Sequence, residues 1–155
     1  MPREPRTLPG RPLVAGHAEG DAIVSAQPIS LWGGLDPRTG EIIDRRHDCC
    51  GRNVTGRVFV FPHEKGSSTA SAILLESIRL GTAPAAIVNA AASPIVALGA
   101  IVADELYHRS LPVVVLAPEA LSTIRDGDHV LVEPDGSVTV SPAPGGQADA
   151  SAERR

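Results

Sequence analysis

The chain has 155 residues, 43% of them hydrophobic and 21% charged, which is enough for one globular domain with its own core. A formal net charge of −4, with the arginines scattered or terminal and no basic stripe interleaved with aromatics, argues against nucleic-acid binding. Aromatic residues are only 3% of the chain, so the core has to be built from Val, Ile, Leu and Ala.

Residues 1–10 hold three prolines and no apolar run, which excludes a secretion signal or a membrane span there. A flexible N-terminus and a cytoplasmic location are the expectation. Residues 11–15 and 22–26 are short β candidates, separated by a turn-rich stretch, and read as a first hairpin. Residues 30–40 carry too many turn formers for a regular element. Gly33 and Gly34 in that stretch allow a backbone to approach a ligand or a second chain closely, although an ordered turn between strands needs the same residues.

His47 lies in the charged run 44–48, which ordinarily reads as a solvated loop with the histidine in a surface ion pair. Cys49 and Cys50 are adjacent, a spacing that suits neither an ordinary disulfide nor a Cys-x-x-Cys metal site. They are read as small buried or half-buried residues, and no metal ligands are expected on this chain.

The central stretch begins with the apolar run 58–61, a buried strand that Pro62 ends. Gly66-Ser67-Ser68-Thr69 then opens a helix whose apolar positions Ala70, Ile73, Leu74 and Ile78 share one face. The N–H groups of residues 66–69 lack helical acceptors. With the hydroxyls of Ser67, Ser68 and Thr69, and with Lys65 alongside, they form a corner suited to a carboxylate or phosphate. Simple capping of the helix explains the same residues.

Gly81 is placed for a left-handed C-cap before a strand at 85–88, and Ser93-Pro94 is a helix start, with Gly99 expected to break or kink that helix. Residues 113–116 read as a buried strand. Residues 129–132 and 137–141 read as a hairpin about Asp135-Gly136. Residues 142–155 show no periodicity and are expected to be disordered. The Gly-x-Gly-x-x-Gly fingerprint of a dinucleotide fold is absent.

Several of these segments together resemble the small, swivelling domain of the aconitase X family. They are Ser30-Leu31-Trp32-Gly33-Gly34-Leu35-Asp36-Pro37-Arg38-Thr39-Gly40 with a following His47, the loop ending in Gly66-Ser67 before a Leu74-Leu75-Glu76 helix, Gly81-Thr82-Ala83-Pro84, Leu98-Gly99-Ala100, and Leu111-Pro112-Val113-Val114. The resemblance implies an α/β fold: a swivelling β/β/α domain over residues 11–141, with compact mixed sheets or a barrel-like core and flanking helices. It implies a small subunit of a two-subunit, iron-dependent hydro-lyase. The iron or iron–sulfur centre would be held by a large subunit, and none would be bound by this chain alone.

In that scheme Ser67 is the catalytic base and Lys65, Gly66, Ser68 and Thr69 bind substrate, with His47, Gly33 and Gly34 as secondary candidates. Ser67 is the serine favoured as the base and Ser68 as the cap, with the reverse assignment open. A serine hydroxyl is far too weak a base alone, so the helix N-terminus, Lys65 and the partner would have to stabilise its alkoxide. Lys65 departs from the arginine frequent in the family, keeping the charge but not bidentate carboxylate binding. The expected substrate is cis-3-hydroxy-L-proline, with mevalonate 5-phosphate as the alternative. Residues 100–106 and 111–114 also resemble a phosphohistidine carrier domain, but none of the five histidines stands just before that helix. A non-catalytic scaffold that kept the fold is the remaining class.

Overall fold

The chain crosses from one edge of a sheet to the other through a single residue. A computed structural model describes residues 3–143. Its strands are β1 (Arg6–Leu8), β2 (Gly10–Val14), β3 (Ala18–Val24), β4 (Leu35–Asp36), β5 (Glu41–Ile42), β6 (Val58–Val60), β7 (Ala86–Asn89), β8 (Val113–Leu116), β9 (His129–Val132) and β10 (Val138–Ser141). The helices are α1 (Leu31–Gly34), α2 (Ala70–Leu80), α3 (Pro94–Tyr107) and α4 (Pro118–Leu121). All strands but β4 and β5 join one eight-stranded sheet in the order β1-β10-β9-β3-β6-β7-β8-β2.

Only Pro9 separates β1 from β2, yet they are the two edges of that sheet. Successive Cα atoms are about 3.8 Å apart, so the edges must be neighbours and the sheet curls almost into a barrel. At the seam a Cβ on Gly10 would collide with the carbonyl oxygen of Gly136, and one on Gly136 would lie 2.6 Å from Pro12 Cδ. Gly136 also has φ +94°, so glycine is required there for both space and backbone.

The curled sheet has two packed faces, and alternation along each strand assigns the side chains. In β6, Val58 and Val60 point inward with Ala22, Ala86, Val88, Val114, Val130, Val132, Val138 and Val140, capped by Leu121 and Ile124. Small β-branched residues and alanines fill a narrow interior. Phe59 and Phe61 point to the other face, with ring centroids 4.5 Å apart, and pack with Ile23, Ile87, Leu74, Val96 and Ala100 under the helices. The parallel strands β3, β6, β7 and β8 all end at the same rim, where the loops after β3, β6 and β7 meet.

The two long helices, α2 and α3, form where the sequence signals place them, whereas the short α4 is not among the expected elements. Gly81 at φ +81° ends α2, and Ser93 Oγ accepts the Val96 N–H at the start of α3. Gly99 does not kink α3, which is continuous from Pro94 to Tyr107. Glycine is needed there for contact instead, since a Cβ would stand 2.9 Å from the Ser71 carbonyl and 3.3 Å from Leu74 Cβ on α2.

Three other expectations are corrected. Residues 6–8 are not a flexible end: β1 pairs with β10, and Arg3 bonds both carboxylate oxygens of buried Asp128 at 2.9 and 2.8 Å. The first hairpin does not form, because β2 pairs antiparallel with β8 and β3 pairs with β6 and β9. The segment 30–40 contains a helical turn broken at Trp32 and Gly33, then β4, which pairs with β5. Most of the expected C-terminal tail, from residue 144 onward, lies outside the described residues. No helix among the described residues is long and apolar enough to cross a membrane.

Candidate functional site

Ligands in open α/β sheets collect at the carboxyl ends of parallel strands, and this chain brings its glycine-rich loops to that rim. The end of β6 is tied to its neighbours: Ser25 N–H donates to Val60 O at 2.8 Å and Ala90 N–H to Pro62 O at 2.8 Å. Asn89, fully buried at the end of β7, donates from Nδ2 to Phe61 O at 3.0 Å. Its Oδ1 is buried without a partner.

From this anchored base the loop 63–69 runs beside the segment following β3. Ile29 N–H donates to His63 O at 3.3 Å and Lys65 N–H to Ile29 O at 2.9 Å. Glu64 turns inward, and its Oε2 accepts the Leu31 N–H at 3.2 Å. Burial lifts its carboxyl above the usual range, with the Leu31 bond and His63 opposing. Gly66, at φ +114°, brings its backbone so close that a Cβ would lie 3.2 Å from Ser30 Oγ. The two glycine-bearing motifs therefore meet at Ser30 and Gly66. Gly34 is packed against Ile29, whereas a Cβ on Gly33 would meet nothing within 4 Å, and neighbouring Trp32 is 57% exposed.

At the helix entry Ser67 Oγ accepts the Thr69 N–H at 3.0 Å, a turn bond ahead of α2, whose N-cap Thr69 makes no side-chain cap bond; Ser67 is half-buried, while Ser68 is exposed and its hydroxyl bonds nothing among the described residues. Ser67 O also accepts the Ala70 N–H at 3.0 Å. The N–H groups of Gly66, Ser67 and Ser68 have no protein acceptor among the described residues, whereas that of Thr69, expected to be free as well, is taken by Ser67 Oγ.

His47 is not on the surface. It is 6% exposed, and its ring is held on both sides: Cys49 N–H donates to Nδ1 at 3.1 Å, which leaves the proton on Nε2 facing Ser25 Oγ at 3.1 Å. Ser25 Oγ–H donates to Asp48 Oδ1 at 2.6 Å, and Ala26 N–H to Asp48 Oδ2 at 3.1 Å. Burial alone would raise the Asp48 carboxyl, but the Ser25 and Ala26 bonds hold it below its ordinary value. The network fastens the loop after β5 to the segment after β3. His47 also lines a cleft of about 500 Å³ with Gln27, Pro28, Asp44, Arg46 and Lys65.

The donor set does not suit an iron–sulfur centre. One ligand atom each of His47, Asp48 and Cys49 lies within 4.8 Å of the others, but both ring nitrogens are already engaged. Cys49, whose thiol burial and the neighbouring Asp48 charge push up to about 11, is the one cysteine in that group, whereas a cluster is held by several thiolates. Cys50 is exposed rather than half-buried.

Sequence reasoning did not single out Ser25, Arg46 or Asn89. Ser25 and Asn89 carry no local signal, being apart from any motif, while Arg46 stands beside His47 in a run read as solvated.

A curled mixed sheet, two helices on one face, and a rim where a Ser-x-Trp-Gly-Gly turn meets a Gly-Ser loop define a swivel-type domain. The chain matches the aconitase X swivel domain over residues 7–140 and belongs to that family. It is 40% identical over 129 residues to the phosphomevalonate dehydratase small subunit of Methanosarcina mazei, covering 83% of this chain and 85% of that one. It is 50% identical over 106 residues to the cis-3-hydroxy-L-proline dehydratase of Pseudomonas aeruginosa, covering 68% of this chain but only 18% of that longer protein. Among solved structures it is similar to aconitase X of Thermococcus kodakaraensis in its holo form, with TM-score 0.79 and 37% identity, over 87% of this chain and 98% of that one.

Proposed function

We propose that this chain is the small subunit of a two-subunit hydro-lyase that dehydrates a small β-hydroxy acid, with Ser67 as the base. The observation that carries this reading is the Ser67 hydroxyl at a helix entry, with Thr69 N–H on its oxygen at 3.0 Å and Lys65 two residues away. A hydrogen bond and a helix dipole directed at Oγ favour its alkoxide. Ser67 takes the proton from the carbon next to the substrate carboxylate, and the C–H electron pair moves into that carboxylate. Return of the pair forms the carbon–carbon double bond and expels the β-oxygen, which needs an acid.

Among the described residues the only side-chain bond of Ser67 is to the Thr69 N–H, so no acid is paired with it, and the cysteines do not suit a cluster. We place the iron or iron–sulfur centre, and the acid function, on a large subunit. The open side of Gly33 and exposed Trp32 give that partner a surface to close over. Lys65, Gly66, Ser68 and Thr69 face the substrate, and His47 holds the opposite loop in place.

The higher identity to the P. aeruginosa enzyme favours cis-3-hydroxy-L-proline as substrate. Mevalonate 5-phosphate is the second reading, supported by the match in extent to the M. mazei small subunit. Both are β-hydroxy carboxylates, so the same base serves either. The test is to purify the chain from its own cells with whatever accompanies it and assay both acids anaerobically. The expected result is a larger iron protein in the complex and turnover of the hydroxyproline. Turnover of the phosphorylated acid alone moves the substrate to the second reading, and full activity from an isolated monomer refutes the two-subunit scheme.

A further inference from the structure

We infer that the cleft between Arg46 and Lys65 seats the carboxylate of the substrate, and that Arg46 supplies the bidentate contact that Lys65 cannot make. The inference rests on the dehydratase reading and adds a binding residue to it. Arg46 comes from the loop after β5 and Lys65 from the loop after β6, so folding alone brings them to one cleft.

Among the described residues the arginine ion pairs use Arg3, Arg38, Arg52 and Arg79, while neither Arg46 nor Lys65 is paired with a carboxylate. The third charged group of the cleft, Asp44, accepts the Arg46 backbone N–H on Oδ1 at 3.0 Å. Two cations therefore line the cleft with a single carboxylate, and neither of them is ion-paired with it. Buried His47, locked by Cys49 and Ser25, gives the cleft a polar wall that cannot collapse onto the cations.

The placement suits the chemistry. Lys65 lines the cleft and is joined through Gly66 to Ser67, so the cleft and the proposed base belong to the same loop. When Ser67 removes the proton from the carbon next to the substrate carboxylate, charge builds on the carboxylate oxygens. A planar guanidinium and an ammonium already in position stabilise that charge more than they stabilise the ground state.

The test has an arm that needs no turnover. The full-length chain, labelled with 15N, is titrated with sodium acetate against sodium chloride at matched ionic strength. Saturable acetate shifts centred on residues 27–28, 44–48 and 64–67, lost in Arg46→Gln, are expected. Equal shifts with chloride, or an unchanged acetate response in Arg46→Gln, overturn the assignment. In the co-purified complex, Arg46→Gln should lower kcat/KM about 100-fold or more, as when one donor to a developing oxyanion is removed. Added guanidinium should restore part of the rate, and Arg46→Lys should fall between the two. A fully active Arg46→Gln complex overturns the inference and leaves the dehydratase reading standing. Acetate binding at Arg46 in a protein whose wild-type complex dehydrates neither acid supports the site and overturns that reading instead.

Discussion

Ser67 has two roles in one oxygen, and substitutions can pull them apart. Its Oγ accepts the Thr69 N–H at 3.0 Å in the turn ahead of α2, so Ser67→Ala removes that turn bond as well as the proposed base. Loss of one such hydrogen bond costs about 1 kcal/mol, within a range of about 0.5–1.5. For a domain of this size that lowers Tm by about 2–4 °C per kcal/mol. Loss of the base should cut α-proton exchange of the substrate by about 10²- to 10⁴-fold. Asn accepts the same i+2 backbone bond in such a turn but is no base, so Ser67→Asn should recover the Tm and none of the exchange.

Ser68→Ala removes an exposed hydroxyl with no bond to a described residue, and should shift stability by less than about 0.5 kcal/mol. Thermal unfolding of the chain and isotope exchange in the complex, measured on all three variants, decide the matter. A larger Tm loss in Ser68→Ala than in Ser67→Ala would refute the assignment of the turn bond to Ser67. Substantial exchange remaining in Ser67→Ala would remove Ser67 from the mechanism.

Gly99→Ala should destabilise the domain by about 1–3 kcal/mol in urea unfolding, because the new methyl meets the Ser71 carbonyl at 2.9 Å where α2 and α3 touch. An unchanged midpoint would mean the helices are not that close. Burial alone would raise the Asp128 carboxyl, but the bonds from Arg3 and the Arg125 N–H, with the Arg3 and Arg6 charges, hold it below the ordinary value. Its contribution is therefore complete above about pH 4, the value of an unfolded aspartate, and is lost as pH falls through the lower folded value. The stability gap between wild type and Asp128→Asn should accordingly be constant from pH 5 to 8 and close in acid; a gap that widens in acid would contradict the sign. A thiol reagent at pH 8 should label Cys50 in the native chain and reach Cys49, buried and pushed up to about 11, only after unfolding. Two fast equivalents in the native state would show that Cys49 is not enclosed.

What could be read along the chain were features set by neighbours in sequence. Ser93-Pro94 starts α3 and Gly81 stops α2 because caps depend on groups within one turn. The β9–β10 hairpin follows from the Asp135-Gly136 turn between alternating strands. The Gly66–Thr69 corner was legible for the same reason, since free N–H groups at a helix entry are a local property, and the motif resemblance supplied the family. Which of the two adjacent serines turns its oxygen back to Thr69 was not legible, because either sits within reach of the same turn.

Pairing and burial were decided only in three dimensions. Residues 11–15 and 22–26 looked like a hairpin because a turn joined them, yet β2 completes the far edge against β8, more than 95 residues downstream by its Gly10–Leu116 register. Pro9 carries the chain across the seam between β1 and β2, and nothing in a Thr-Leu-Pro-Gly string says that the strands flanking it lie at opposite ends of the sheet order. His47 looked solvated because its sequence neighbours are charged. It is buried because the Cys49 N–H and Ser25 Oγ satisfy its ring nitrogens while the fold covers its ring, and the Ser25 contact needs a strand end 22 residues away. Arg46 and Lys65 face one cleft for the same reason: the sequence supplies each charge, but only the meeting of two loops at the rim of the curled sheet puts them side by side.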